Sequence, residues 1–122
     1  MQKVIFDSSF LMAVVERPTT WFEDMVDDLG GFQPLLLECV ERELRKISEG
    51  SGKRARTASV ALALASKFGR APCGAGTVDG EIVSAAVSAK AAVATTDKDL
   101  ALTLRSAHVP VVKLRGSRVA LG

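Results

Sequence analysis

The 122-residue chain has no tyrosine, and aromatic residues make up only 5% of it. A base-stacking platform of the kind that single-strand-binding sheets use needs aromatic faces, so their scarcity speaks against one. It also leaves the core to be built from Ala, Val, Leu and Ile. The only histidine is His108. One imidazole does not suit a metal-free ribonuclease of the two-histidine type, nor a Ser/His/Asp hydrolase. Its place just before the last expected strand suits a packing or turn residue. Cysteine is nearly absent too: Cys39 and Cys73 lie far apart, with no CxxC or Cys/His ligand spacing. A zinc site is therefore not expected, and two reduced, packed thiols are the plainer reading. No apolar run approaches membrane-spanning length. Asp7 interrupts the apolar stretch after Lys3, and no clean small-residue cleavage site follows, so no leader is expected and the location is read as cytoplasmic. Neither sign of charge dominates: 16 basic and 14 acidic residues give a formal +2.

What is present is an ordinary globular composition, 48% hydrophobic and 25% charged, enough for a sizeable core and unlike a disordered chain. The length suits a single domain over residues 1–122. Residues 3–6 (KVIF) read as a strand ending at Asp7. A helix then runs from Ser8 or Ser9 to about Glu16, where Pro18 stops it. Residues 20–29 form a second short helix closed by Gly30 and Gly31. A strand over 32–37 follows, which Pro34 places near an edge or a strand start. From Glu38 to about Glu49, Val40, Leu44 and Ile47 share one helical face. After the flexible corner at 50–53, residues 54–68 read as an Ala/Leu-rich helix buried along much of its length. Residues 69–77 carry too many Gly and Pro for a regular element. Then come a helix over 79–90, a strand over 91–96, a helix over 98–107 and a strand over 109–114. Alternating strands and helices predict a three-layer α/β/α fold around a mostly parallel sheet of four to five strands.

In such sheets ligands bind beyond the carboxyl ends of the strands. Asp7 and Asp97 each follow a strand and would emerge at the same end. Asp79 opens the helix leading to the Asp97 strand, Glu43 lies on the helix after the second strand, and Asp99 is two residues past Asp97. Taken singly, Asp79 and Asp97 could be helix caps and Glu43 a solvated charge. Asp7 is harder to dismiss, because a carboxylate at the end of a buried strand is unfavourable unless something compensates it. Several acids at one sheet end repel one another, and a divalent ion is the usual relief.

These segments resemble the PIN (PilT N-terminus) domain family. VIFDSSFLMA looks like its first strand, VERELRKI like the second acidic position, and the stretch from Asp79 through an Ala-rich helix to TTDKDL follows its spacing. The resemblance spans nearly the whole chain. It implies Asp7, Glu43, Asp79 and Asp97 as catalytic, metal-holding acids, with Asp99 as an accessory ligand. The sequence departs from the family at Ser9, where many members have Asn, and at Gly80, where the ribosomal-RNA-processing branch often has a second Asp.

The activity implied is an endoribonuclease dependent on Mg²⁺ or Mn²⁺, which would activate a water and offset charge on the phosphodiester. RNA is the implied substrate, and the cellular role is either ribosomal RNA processing or that of a VapC-type toxin. A non-catalytic PIN scaffold that binds RNA or protein is the alternative. Expected partners are RNA, a second copy of the chain, and an antitoxin or a ribosome-assembly factor, with no membrane. Ser9, Lys53, Arg54 and Arg56 are the candidate substrate contacts; Lys113, Arg115 and Arg118 form a second basic set, and solubility is the plainer reading of both clusters. A receiver-type signalling domain has similar size and architecture. It would pair acids after the first strand, where this chain has only Asp7.

Overall fold

The computed structural model describes residues 1–17, 20–115 and 118–121, with the side chains of Arg115, Arg118, Val119 and Leu121 left aside. The elements run β1 (Gln2–Phe6), α1 (Ser8–Glu16), α2 (Trp21–Leu29), β2 (Phe32–Leu37), α3 (Glu38–Ser48), α4 (Gly52–Leu64), β3 (Gly69–Ala71), α5 (Val78–Ala89), β4 (Ala92–Ala94), α6 (Lys98–Ser106), β5 (Val111–Arg115) and β6 (Arg118–Leu121). The strands form one sheet in the order β3-β2-β1-β4-β5-β6. The first five are parallel, and β6 returns antiparallel beside β5.

Val4, Ile5 and Phe6 are buried in succession, as are Ala92, Val93 and Ala94. Consecutive burial means that both faces of the central strands are covered, as the α/β expectation requires. The five parallel strands match the expected sheet, and β6 adds an antiparallel edge. Short β3 was hidden by its glycine and by Pro72, Gly74 and Gly76, which follow it. A Cβ on Gly69 would lie 2.9 Å from Leu35 Cδ2, so glycine here permits the close approach to β2. Because β3 runs beside Leu35–Leu37 only, Pro34 sits where β2 still has a free side.

Helix α4 is less buried than expected: Ala55, Thr57, Ala58 and Ala61 face inward, while Val60 and Leu64 are exposed. Its small residues let it lie close against α3 and α1. The few aromatics are not spread through the core. All six join in one cluster, with Phe6 touching Phe10, Trp21, Phe32 and Phe68, and Phe22 beside Trp21 and Phe32. His108 is a turn residue, at φ 59°. Among the described residues no helix is long and apolar enough to cross a membrane.

The reading of two separate thiols is corrected. Leu37 and Ala71 are partners in the β2–β3 register. Cys39 and Cys73 each stand two residues beyond them, which sets their Cα atoms 5.9 Å apart and joins them in a disulfide. That distance falls within the range a disulfide spans.

From β1 the chain steps outward to β2 and β3, then returns through α5 to β4 on the other side of β1. The loops after β1 and β4 therefore part at the carboxyl end of the sheet. This is the switch point at which open α/β sheets form their binding crevice.

Candidate active site

Asp7 occupies the N-cap position of α1, but its side chain does not cap the helix. Its Oδ2 instead accepts hydrogen bonds from Ser9 Oγ at 2.6 Å and Thr95 Oγ1 at 2.8 Å. Both hydroxyls are themselves fixed by backbone amides: Thr96 N–H donates to Ser9 Oγ at 3.1 Å and Asp97 N–H to Thr95 Oγ1 at 3.0 Å. A short polar relay thus ties the β4–α6 turn to the carboxylate at the end of β1. Asp7 is only 6% exposed. No described buried side-chain oxygen or nitrogen lacks a partner, so Oδ1, which takes no hydrogen bond, reaches solvent.

Asp97 is both a cap and a neighbour of Asp7. Its Oδ1 accepts from Asp99 N–H at 2.9 Å and Leu100 N–H at 3.1 Å, closing the first turn of α6. The capping role considered for Asp79 falls instead to Thr77, whose hydroxyl oxygen accepts from Gly80 N–H at 3.1 Å. Asp79 is left in the first turn of α5, where the helix dipole favours a negative charge. Glu43 is half-buried on α3, and its Oε1 accepts from Ser8 Oγ at 2.6 Å. Asp79 and Asp99 line a cleft of about 380 Å³ between α5 and α6.

Asp79 feels the other four acids. Partial burial of the Asp79 carboxyl pushes its pKa above the ordinary 3.8, and the charges of Asp7, Asp97, Glu43 and Asp99 push it further in the same direction. Asp79 is exposed as a residue, so its loss of water is incomplete. The four carboxylates around it are what set its surroundings apart. Among the described residues, no three Asp, Glu, His or Cys side chains are arranged as a ready-made cage for a metal ion. The acids share an electrostatic neighbourhood without meeting at one point.

A family model of the PIN-like domain matches residues 4–117. The chain belongs to the PIN-like domain family. Among solved structures, the PIN domain endonuclease Utp24 superposes with a TM-score of 0.81 at 27% identity, over 98% of this chain and 90% of that one. A domain of a functionally unknown protein from Methanocaldococcus jannaschii matches with a TM-score of 0.67 at 14% identity, over 94% and 92% of the two chains. PAE2754 from Pyrobaculum aerophilum matches with a TM-score of 0.54 at 15% identity, over 81% and 77%. These last two share the fold. No curated protein sequence matches the chain.

In this fold Asp7, Glu43, Asp97 and Asp99 all lie near enough for their charges to act on Asp79. Ser9, a candidate substrate contact, donates its hydroxyl hydrogen to Asp7. At Gly80 a Cβ would come 3.0 Å from Thr77 Oγ1 and crowd the α5 cap. Lys53, Arg54 and Arg56 are exposed on the first turns of α4. Of the second basic set, Lys113 lines a cleft beside Asp97; the side chains of Arg115 and Arg118 lie outside the described residues. Sequence reading missed Ser8 and Thr95, the hydroxyls that fix Glu43 and Asp7. It also missed Lys98 and Arg105, although their i, i+7 spacing on α6 puts both on one helical face.

Proposed function

We propose that this PIN-like chain is an endoribonuclease working with Mg²⁺ or Mn²⁺, held by Asp7, Glu43, Asp79 and Asp97 with Asp99 beside them. One observation carries the reading: near the β1/β4 switch point, partial burial and then the charges of Asp7, Asp97, Glu43 and Asp99 raise the pKa of Asp79. A fold keeps such mutual repulsion where a bound cation offsets it.

The donor set fits a hard divalent ion, being all oxygen and free of histidine and thiolate. The open spacing of the acids suits Mg²⁺, which keeps several of its waters. When bound, such an ion supplies a lowered water pKa and charge to offset that on the phosphodiester. The chain's own groups do the positioning. Ser9 and Thr95 fix Asp7 Oδ2 and leave Oδ1 outward. Ser8 fixes Glu43. Asp97 Oδ1 is committed to the α6 cap, which leaves Oδ2 for a ligand. Similarity to an endonuclease across nearly the whole chain supports the same activity. For the cellular role we favour ribosomal RNA processing, because GSGKRAR at 50–56 and VVKLRGSRVAL at 111–121 resemble that branch of the family more than the VapC-type toxins. A neighbouring frame encoding a small antitoxin would point instead to a VapC-type toxin.

End-labelled single-stranded RNA incubated with the protein and Mg²⁺ or Mn²⁺ should be cut, and chelator should stop the cutting. Asp7→Asn should abolish it with an unchanged circular dichroism spectrum, because the amide keeps the shape and loses the charge. Full cleavage under chelator would rule out the metal mechanism. Tight RNA binding with no cleavage under either metal would leave the non-catalytic scaffold.

A further inference from the structure

Between α6 and β5, at the carboxyl end of the sheet, lies a cleft of about 430 Å³ that includes Asp97 in its wall. That volume is within the roughly 300–1,000 Å³ of clefts that accept small ligands. Its apolar lining includes Ala101, Leu102 and Leu114, and Lys98, Arg105 and Lys113 lie around it. On α6, Lys98, Leu102 and Arg105 fall at i, i+4 and i+7, which aligns them along one face. Leu102 is 61% exposed, a large apolar side chain with no packing reason to be there. The β4–β5 register pairs Ala94 with Val112, so Thr95 and Lys113 lie at the same level one residue further on. A cation-lined apolar hollow therefore opens directly beside the acids.

We propose that this cleft receives a nucleotide of the RNA strand next to the phosphate held at the acidic cluster. The inference rests on the nuclease reading above and names where the substrate lies. Charge complementarity selects the occupant. A nucleotide combines an apolar base face with an anionic backbone, and the cleft offers aliphatic walls with Lys98 and Arg105 at its rim. No aromatic residue lines the cleft, but an arginine guanidinium plane also stacks on a base, and Arg105 lines the cleft. Lys98, exposed at the rim, then serves a flanking phosphate.

The test measures binding of single-stranded RNA, and of an abasic strand of equal length, to Asp7→Asn protein by fluorescence anisotropy. Leu102→Asp and Arg105→Ala are introduced separately, and both positions are exposed enough to spare the fold. Each should weaken RNA binding about tenfold, the scale of one lost base contact. Each should also shrink the preference for RNA over the abasic strand. Lys3→Gln, a charge loss at the opposite end of the sheet, should change neither. The thermal shift produced by Mn²⁺ on the wild-type background should persist in both cleft variants. Unchanged RNA affinity and unchanged base preference in both would overturn the proposal while leaving the nuclease reading intact. Wild-type protein that binds no RNA would overturn both. Protein that binds RNA through the cleft but never cuts would overturn the nuclease reading alone.

Discussion

Thr95, on the turn after β4, donates its hydroxyl hydrogen to Asp7 Oδ2 at the end of β1, 2.8 Å away. The same oxygen atom of Thr95 accepts from Asp97 N–H. One side chain thus fixes both acids that flank the switch point. Thr95→Val keeps the volume and removes both bonds. We expect metal-dependent cleavage to fall about 10–100-fold, the usual effect of losing a group that orients a metal ligand. Stability should fall by about 1–3 kcal/mol, because the Asp97 amide loses its acceptor. Thr95→Ser should restore most of both. Activity titrated against Mn²⁺ would show the loss as a raised metal requirement, and an unchanged titration would deny Thr95 its positioning role.

Asp97 separates two roles that one carboxylate performs. Asn is as good an N-cap as Asp, whereas Ala is poor. Asp97→Asn should therefore melt close to wild type yet lose activity with the charge. Asp97→Ala should lose activity and also about 0.5–2 kcal/mol of stability. Thermal melts beside cleavage assays distinguish them. An active Asn variant would reduce Asp97 to a cap.

The disulfide predicts a redox-dependent stability. It closes a segment with a sequence separation of 34 residues, and such links contribute about 2–4 kcal/mol. Cys73→Ser, or reduction with dithiothreitol, should lower the melting temperature accordingly. The link also joins α3, which carries Glu43, to the loop that leads to Asp79. Cleavage should then need more metal in the reduced protein. A melting curve indifferent to reductant would show the bond to be unimportant.

The reach of sequence reading follows from what each feature depends on. Asp7 is legible because it sits directly after a short apolar run and Asp97 because it lies just beyond one, and parallel topology sends both to one end of the sheet. The strands and helices around them are legible from periodicity and caps. Cys39 and Cys73 are not, because their meeting depends on the β2–β3 register, and β3 is a three-residue strand that packs through a glycine. Thr95 is not legible either. Its bond to Asp7 spans 88 positions, and a hydroxyl carries no periodic signal. The exposed Leu102 declares itself only once β5 is seen beside α6.

Asp79 gives a pH prediction whose sign can be worked out. Its carboxyl is pushed above the ordinary 3.8 by partial burial and then by Asp7, Asp97, Glu43 and Asp99. Below pH 3.8 folded and unfolded chains both hold this proton, so Asp79 is neutral in its effect. As pH rises from there through the raised folded value, the unfolded chain releases the proton first, and the group's contribution to stability falls. At pH 7 the metal-free fold bears the whole penalty. Asp79→Asn should therefore raise the melting temperature of chelated protein at pH 7 and give no such gain below pH 3.8. The gain should be small, because Asp79 is exposed and water screens much of the repulsion. Added Mn²⁺ should reverse the order at pH 7, stabilising the wild type more than the variant by binding the folded form. Melting curves at both pH values, with chelator and with Mn²⁺, decide it. If the Asn variant gains as much from Mn²⁺ as the wild type does, Asp79 holds no cation.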